Sequence, residues 1–267
     1  MTEKNETFPN GVEAFFILVA LFAVEYVIGA AMFDMRNLLA LPRQDVGDLV
    51  TVLASGVVFT AVMHYKGMSY RDLFHSSQAS AADTLIALLP PIALTIPALV
   101  LLTSTVGDML VRAFPLSPSE TAMFEEMGSG SFGAILGACV LAPVLEEMLF
   151  RGVILRSFLR QYSRWASIIG SAALFGFAHL NIYQFSAALV LGVVSGWLYE
   201  RTRSLLPCIA LHAGYNGTLV MIDLSLAKGN TDSFSSPTPS FYFAAVMLAA
   251  WGVALLRRTL IVPAEKE

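Results

Sequence analysis

Apolar stretches close to the length of a bilayer-crossing helix recur along most of this 267-residue chain. About 20 consecutive apolar residues cross a bilayer as an α-helix. Charged residues make up 13% of the chain, against roughly 25% in soluble domains. We therefore predict an all-α fold, a polytopic membrane bundle that forms a single integral membrane domain over residues 1–267. We expect about eight transmembrane helices, at residues 11–33, 49–65, 84–106, from Phe132 onward, and at 165–180, 184–199, 205–226 and 241–256.

The distribution of basic residues predicts how this bundle is oriented. Cytoplasmic segments of membrane proteins are enriched in Lys and Arg. If both termini are cytoplasmic, only four of the 16 basic residues fall in outer segments: Arg36, Arg43, Arg112 and Lys228. We therefore predict a multi-pass protein of the cell membrane, in contact with lipid, with cytoplasmic termini. The chain has no basic run that would indicate nucleic-acid binding.

Two adjacent carboxylates, Glu146 and Glu147, lie in the middle of the fourth predicted span. A charge at bilayer depth costs at least a few kcal/mol, so residues of this kind are usually functional. Arg151 follows Glu147 by four residues, which places both side chains on one helical face where they can neutralise each other. Glu146 points about 100° away, without a partner on its own helix. We therefore expect its partners to come from other helices.

Three further polar side chains lie in or at the end of apolar spans. His179 ends the fifth span, and His212 and Asn216 lie one helical turn apart in the seventh. A carboxylate is a suitable general base for a water molecule, and a neighbouring histidine can orient that water or relay its proton. A second histidine and an amide can donate hydrogen bonds to a developing oxyanion. Together these residue types indicate peptide hydrolysis.

The same side chains are also candidates for a metal site. Glu146, His179 and His212 can serve as ligands of a divalent ion such as Zn²⁺, but the His-Glu-x-x-His helix of common zinc peptidases is absent. Rhomboid-type Gly-x-Ser-Gly and aspartyl Gly-x-Gly-Asp motifs are absent as well. These absences favour a glutamate-activated water and leave metal dependence open. Cys139 and Cys208 lie in apolar segments, and we expect them to be unpaired packing residues.

Proline and small residues predict local features of the helices. Pro143 lies one turn before the glutamates, so we expect a kink there and a freed carbonyl near the polar site. Gly192 and Gly196 are four residues apart and predict a tight helix contact. The loop before the fourth span is expected to form a short surface helix capped by Ser117 or Ser119.

Taken in order, Glu146-Glu147-x-x-x-Arg151, Phe175-x-x-x-His179 and His212-x-x-x-Asn216 resemble the three motifs of the CPBP family. This family includes the CAAX prenyl proteases and the bacterial Abi-type, bacteriocin-processing membrane proteins. The match covers residues 132–221, which we take as the catalytic motif core. The resemblance implies an intramembrane endopeptidase with a multi-helix fold and a cavity that opens toward the cytoplasm. It implies a peptide or membrane-protein substrate, which in some members has a prenylated C-terminal tail.

The resemblance also implies a role for each motif residue. Glu146 resembles the water-activating base, with His179 as its partner. His212 and Asn216 resemble the oxyanion donors. The other motif positions resemble structural support: Glu147, Arg151 and Phe175. The family has been described both as metallopeptidases and as glutamate-dependent peptidases, and the sequence leaves this alternative open.

Two other classes of function also remain open. A non-catalytic immunity or partner-binding membrane protein can use the same scaffold, although it would have little reason to retain the whole polar set. A proton-coupled transporter can use Glu146 and the histidines as a relay. Its best further candidates are Glu13 and Glu25 in the first span, of which Glu25 is expected to line a lateral cavity. The first half of the chain lacks the matching polar set that an inverted repeat would give.

Overall fold

The helices of the protein follow the apolar stretches of its sequence. A computed structural model describes residues 7–39, 43–127, 130–227 and 238–260. Within these ranges the chain forms ten helices and no strand. In chain order they are α1 Gly11–Leu39, α2 Arg43–Lys66, α3 Tyr70–Phe74, α4 Ala81–Ala113, α5 Pro118–Met127, α6 Phe132–Gln161, α7 Arg164–Phe177, α8 Ile182–Thr202, α9 Leu206–Ala227 and α10 Pro239–Leu260.

The predicted all-α, multi-pass architecture is confirmed, but the count of eight spans is not. Six of the described helices are long and apolar enough to cross a membrane: α1, α2, α4, α6, α8 and α10. At the fifth predicted span, α7 has 14 residues, fewer than the roughly 20 that a crossing requires. At the seventh, α9 has 22 residues, but His212, Asn216 and Asp223 lower its mean hydropathy. The two unconfirmed spans are those that bring both histidines toward the site.

α6 is one helical rod in which two π-helical segments flank the paired glutamates. Gly137–Leu141 and Met148–Leu155 are π-helical, and the α-helical turn Ala142–Glu147 between them contains both carboxylates. At the end of the first segment, the amide of Ala142 donates to the carbonyl of Gly137, five residues earlier. The distortion expected near Pro143 is therefore a widened helical turn. Segments of this kind are rare and often occur at functional sites.

The predicted surface helix is α5, and Ser117 is its cap. The Ser117 hydroxyl accepts from the amide of Glu120 at 3.3 Å, while the amide and hydroxyl of Ser117 donate to the Glu120 carboxylate at 2.8 and 2.6 Å. This reciprocal arrangement is a capping box. The hydrogen bonds from Ser117 hold the pKa of Glu120 below its usual range. None of the residues of α5 is buried, so the helix lies on the surface of the bundle.

The helix ends meet on two opposite faces of the bundle. On the first, which we call the basal face, Gln161 and Lys66, at the ends of α6 and α2, donate to the carbonyls of Pro9 and Phe8 before α1. On the second, which we call the α5 face, the hydroxyl of Tyr183 at the start of α8 donates at 2.6 Å to the carbonyl of the residue that follows α4. The segment before α1 is thus fixed to the face opposite α5.

Glycines allow α8 to pack closely against α7, as predicted for Gly192 and Gly196. A Cβ atom at Gly192 would lie 2.8 Å from Cβ and 3.0 Å from Cα of Ala172, and 3.3 Å from Nη2 of Arg151. A Cβ atom at Gly196 would lie 3.1 Å from Cγ2 of Ile168. Ala172 Cα belongs to the backbone and cannot rotate away. The approach of the two helices therefore depends on glycine at position 192.

We expect Gly192→Ala to lower the free energy of unfolding by about 1–3 kcal/mol, because the added methyl group forces α7 and α8 apart. Gly56→Ala is the matched control, since no atom lies within 4 Å of the new Cβ. It should leave stability unchanged or raise it by up to about 1 kcal/mol. Thermal or denaturant unfolding in detergent measures both variants. Equal effects would show that this helix contact does not require glycine.

Candidate active site

The four predicted catalytic side chains line one cavity. Glu146 of α6, His179 after α7, and His212 and Asn216 of α9 face a cavity of about 780 Å³, which we call the main cavity. Phe175, predicted as a supporting residue, lines it as well. The main cavity extends from these residues to α5, and most of its remaining lining is apolar. Side chains from three helical segments are thus brought to one space.

The adjacent glutamates differ in their exposure. Glu147 and Arg151 are both fully buried, and Glu147 Oε1 lies 3.0 Å from Arg151 Nη1. The Glu146 side chain is 31% exposed, and it borders the main cavity. Glu146 can therefore meet water and substrate, whereas Glu147 is enclosed by protein and neutralised by its arginine.

His212 lies between the two carboxylates. Its Nδ1 is 3.0 Å from Glu147 Oε1, and its Nε2 is 3.7 Å from Glu146 Oε2. The carboxylate of Glu147, paired with Arg151, can only accept, so Nδ1 of His212 donates to it. The ring nitrogen that remains for Glu146 and the cavity is Nε2. Glu147 Oε1 therefore accepts from two side chains and orients the imidazole, a function that a buried carboxylate often has beside a catalytic histidine.

His179 is fixed by the turn that joins α7 to α8. Its Nδ1 lies 3.0 Å from the carbonyl of Phe175. Because a carbonyl only accepts, Nδ1 donates, and Nε2 of the neutral ring is an acceptor. Asn181 Nδ2 donates to the carbonyl of His179 at 3.0 Å, and Leu180 between them has a φ of 56°. This left-handed conformation is unusual for a non-glycine residue, and such strain is commonly retained where it positions a functional group.

The ring of Phe175 contacts three of the polar side chains. The guanidinium carbon of Arg151 lies 4.6 Å from the ring centroid, which is a cation–π contact. The imidazole rings of His179 and His212 meet it edge-on, with centroids 5.2 and 5.6 Å away. Phe175 is itself buried. It therefore sets the planes of both imidazoles and covers the buried arginine.

Asn216 binds a carbonyl that α6 leaves unpaired. Its Nδ2 donates to the carbonyl of Ala138 at 2.7 Å. In the π-helical segment that carbonyl would pair with the amide five residues later, but residue 143 is proline and has no amide hydrogen. The prediction that Pro143 frees a carbonyl near the polar site is confirmed. An amide nitrogen has two hydrogens, so Asn216 retains one for another acceptor.

Two smaller cavities continue from the site toward α1 and α2. The inner lateral cavity, of about 200 Å³, shares Ala142, Glu146 and His179 with the main cavity. The outer lateral cavity, of about 460 Å³, shares Glu25 and Thr51 with the inner one. Glu25 thus lines a lateral cavity, as expected from the sequence. Glu146 and His179 lie where the main and lateral cavities meet.

Sequence reasoning missed several polar residues of the main cavity, and Tyr215 and Asp223 of α9 are two of them. The hydroxyl of Tyr215 lies 2.7 Å from Oγ1 of Thr103, which links α9 to α4. Both residues had a signal in the sequence. Tyr215 precedes Asn216 within the third motif, and Asp223 follows Asn216 by seven residues, about two helical turns on the same face.

The polar set does not form a ready metal centre. The Nδ1 atoms of His179 and His212 make hydrogen bonds to oxygen atoms. In metal-bound histidines the ring nitrogen that does not bind the metal usually makes a hydrogen bond of this kind. Over the ranges that the structure describes, however, no three His, Cys, Asp or Glu side chains are placed to hold an ion. The residues present therefore do not fit a preassembled metal site, and we derive no step through a metal. Cys139 and Cys208 are both free thiols, as expected.

The cavities and the N-terminal segment lie on opposite faces of the bundle. α5 residues such as Phe124 and Glu125 line the main cavity. The outer lateral cavity is lined by Phe33, late in α1, and Gly47, early in α2, and these positions are remote from the basal ends of both helices. The cytoplasmic termini and the opening of the cavity toward the cytoplasm both stay predictions; the lining residues place the main and outer lateral cavities toward the face opposite the segment before α1.

The buried pair gives a prediction for stability. Arg151→Met leaves the Glu147 charge buried without its partner, and we expect it to lower the free energy of unfolding by about 3–5 kcal/mol. Adding Glu147→Gln removes the stranded charge and should restore part of that loss. Unfolding of the single and double variants in detergent measures the difference. If the double variant is no more stable than Arg151→Met, Arg151 does not stabilise the protein through its ion pair with Glu147.

One protein-family model matches the segment of the chain that contains this site. The model of the type II CAAX prenyl endopeptidase Rce1-like family matches residues 128–218. No curated protein and no solved structure matches the chain. The matched range includes all three motifs, from Glu146 to Asn216. Residues 128–218 therefore match the Rce1-like CAAX prenyl endopeptidase model, which confirms the predicted resemblance to the CPBP family.

Proposed function

We propose that this protein is an intramembrane endopeptidase that hydrolyses a peptide bond near the membrane with a water molecule activated by Glu146. The Rce1-like domain supports such an activity at the level of the family. The observation that carries the proposal is the meeting of Glu146, His179, His212 and Asn216 at one cavity. Binding without chemistry would not require a carboxylate and two oriented imidazoles at a single point.

In the first step, Glu146 accepts a proton from water, and the resulting hydroxide attacks the carbonyl carbon of the scissile bond. Glu146 suits this role because its carboxylate borders the cavity, while Glu147 is enclosed and paired with Arg151. Nε2 of His179 accepts a hydrogen bond from the same water and orients it. A positioned base and its partner typically contribute 10²–10⁴-fold to a rate.

The attack moves the carbonyl electron pair onto oxygen, and this oxyanion needs hydrogen-bond donors. The second amide hydrogen of Asn216 supplies one donor. His212 supplies the other from Nε2 when that nitrogen carries a proton, while its Nδ1 donates to Glu147. Glu146 then returns its proton to the leaving nitrogen, and the C–N bond breaks to give a carboxylic acid and an amine.

The substrate proposed for this site is a peptide or a segment of a membrane protein. The main cavity is large and mostly apolar, which suits an extended apolar chain and also a tail that bears a prenyl group. Cavities on both sides of Glu146 and His179 leave room for chain on both sides of the scissile bond. This favours cleavage inside a chain.

A transporter fits the cavities less well than a peptidase does. The main and outer lateral cavities are lined by residues toward the α5 face, and the inner lateral cavity is lined also by Leu18, Phe59 and Phe150, nearer the basal face. On the basal side, α6 is fully enclosed at Val153, Ile154 and Leu155. Among the described residues, the lining of these cavities therefore gives no polar path to the basal face.

We expect Glu146→Gln to lower kcat by at least about a thousandfold, because the amide cannot accept the proton of the water. The assay uses quenched fluorescent peptides and full-length protein in lipid nanodiscs. Glu126→Gln is the matched control, since Glu126 is an exposed carboxylate of α5 that lines none of the three cavities. It should retain wild-type turnover, and thermal unfolding checks that both variants are folded.

Wild-type turnover in Glu146→Gln would remove Glu146 from the mechanism. Absence of cleavage by the wild-type protein in a broad peptide set would instead favour the non-catalytic reading of the same scaffold.

We further propose, from the distribution of basic residues, that the termini are cytoplasmic and that the main cavity therefore opens on the extracytoplasmic side. Single cysteines introduced after replacement of Cys139 and Cys208 test this orientation. On intact cells, Glu126→Cys on α5 should react with a membrane-impermeant maleimide. Gln78→Cys, between α3 and α4, should react only after permeabilisation. The reverse labelling pattern would mean that the main cavity opens on the cytoplasmic side.

A further inference from the structure

The three cavities adjoin one another in a row that passes the proposed catalytic residues. Residues shared between neighbouring cavities mark its two junctions: Glu146 and His179 at the first, Glu25 and Thr51 at the second. A chain lying in the main cavity can therefore continue beyond Glu146 into the groove between α1 and α2. We call this groove, made of the inner and outer lateral cavities, the lateral groove.

Glu25 is the charged residue of this groove that the proposed mechanism does not use. Its side chain is half-buried, and the structure gives it no hydrogen bond or ion pair with any described residue. Around it, the inner lateral cavity is lined mainly by apolar side chains such as Leu21, Phe22 and Phe59. Glu25 and Glu146 both line this cavity, so two carboxylates border one small and mainly apolar space. A carboxylate held in this setting lacks a cation.

No lysine or arginine among the described residues lines any of the three cavities. The ionisable groups that line them are carboxylates, histidines and tyrosines, and the carboxylates include Glu125 and Asp223 of the main cavity. Among the described residues, no lining side chain supplies a cation for Glu25, so a basic group of a bound peptide would complement it. A carboxylate in a mainly apolar wall suits one basic side chain, whose alkyl stem packs on the wall while its charged end reaches the carboxylate.

We propose that Glu25 binds a lysine or arginine side chain of the peptide substrate in the lateral groove, and that this contact selects substrates with a basic residue on one side of the scissile bond. The inference rests on the proposed peptidase function and assigns it a substrate class. Charge complementarity of this kind gives specificity by favouring one partner and repelling another. An acidic residue at the same position would meet Glu25 and Glu146 together and be rejected.

The first test measures selectivity within each variant. A peptide series carries one lysine moved stepwise through an otherwise apolar sequence, and norleucine replaces the lysine in matched peptides. Full-length wild-type protein in nanodiscs should prefer lysine over norleucine at one register by about tenfold or more in kcat/KM, since hydrogen bonds to charged groups contribute this much. Glu25→Gln should reduce that ratio to within about threefold, and Glu126→Gln should keep it.

A charge reversal makes the test independent of any loss of folding. Glu25→Lys should prefer a peptide with glutamate at the same register over the lysine peptide. Gly47→Phe provides a second check, because a Cβ at Gly47 meets no atom within 4 Å and a larger side chain there fills the outer lateral cavity. It should weaken cleavage of long peptides more than of peptides that end before the groove.

Wild-type protein without a preference for lysine at any register would overturn the proposal, as would a preference unchanged by Glu25→Gln. A binding measurement separates this failure from failure of the peptidase function. Glu146→Gln protein should bind the lysine peptide more tightly than the norleucine peptide, and the double variant with Glu25→Gln should not. Equal binding of both peptides by Glu146→Gln would refute the Glu25 contact even if no peptide is cleaved.

Discussion

The buried contact among Arg151, Glu147 and His212 fixes the geometry on which the site depends. Removing two charges from water costs several kcal/mol per ion, and the attraction between the charges offsets this cost only with good geometry and further hydrogen bonds. Here the guanidinium also lies against the ring of Phe175, and Glu147 accepts a second hydrogen bond from His212. α6, α7 and α9 are thereby joined at one point. A shift of any of the three helices would break a fully buried ionic contact, so Glu146 beside it is held in place.

The irregularity of α6 strengthens this junction. The π-helical segments change the backbone pairing on both sides of the glutamates, and two carbonyls of α6 bind side chains of neighbouring helices. Ser171 of α7 donates to the carbonyl of Phe150 at 2.8 Å, and Asn216 of α9 donates to that of Ala138 at 2.7 Å. A regular helix would satisfy these groups internally and present only side chains to its neighbours. Asn216 of α9 thus binds a carbonyl that the irregular pairing frees, and Ser171 of α7 adds a second side-chain bond to the backbone of α6.

The features of the site that could be predicted from the sequence are those set by the spacing of residues along one helix. The pair Glu147–Arg151 followed from a separation of four residues, and the freed carbonyl followed from Pro143. The contact of His212 Nδ1 with Glu147 did not, because it depends on how α9 is rotated against α6. The acceptor for Asn216 is the carbonyl of Ala138 because the turn is π-helical. No residue in the sequence predicts a π-helical turn there. The span count was not confirmed because the polar residues of α9 that build the site lower its hydropathy, and because α7 ends at the turn that holds His179.

The charge of the cavities bears on which peptide bonds the site can accept. A substrate that ends near the scissile bond would bring its terminal carboxylate into a space lined by Glu25, Glu125, Asp223 and Glu146. Within the described part of the chain, no lysine or arginine lines that space to receive it, and an unpaired charge in an apolar cavity costs several kcal/mol. A bond inside a longer chain avoids this cost, because the carboxyl terminus then lies in water. For the proposed peptidase, the charge of the cavities therefore favours a bond inside a chain over a bond next to a free carboxyl terminus.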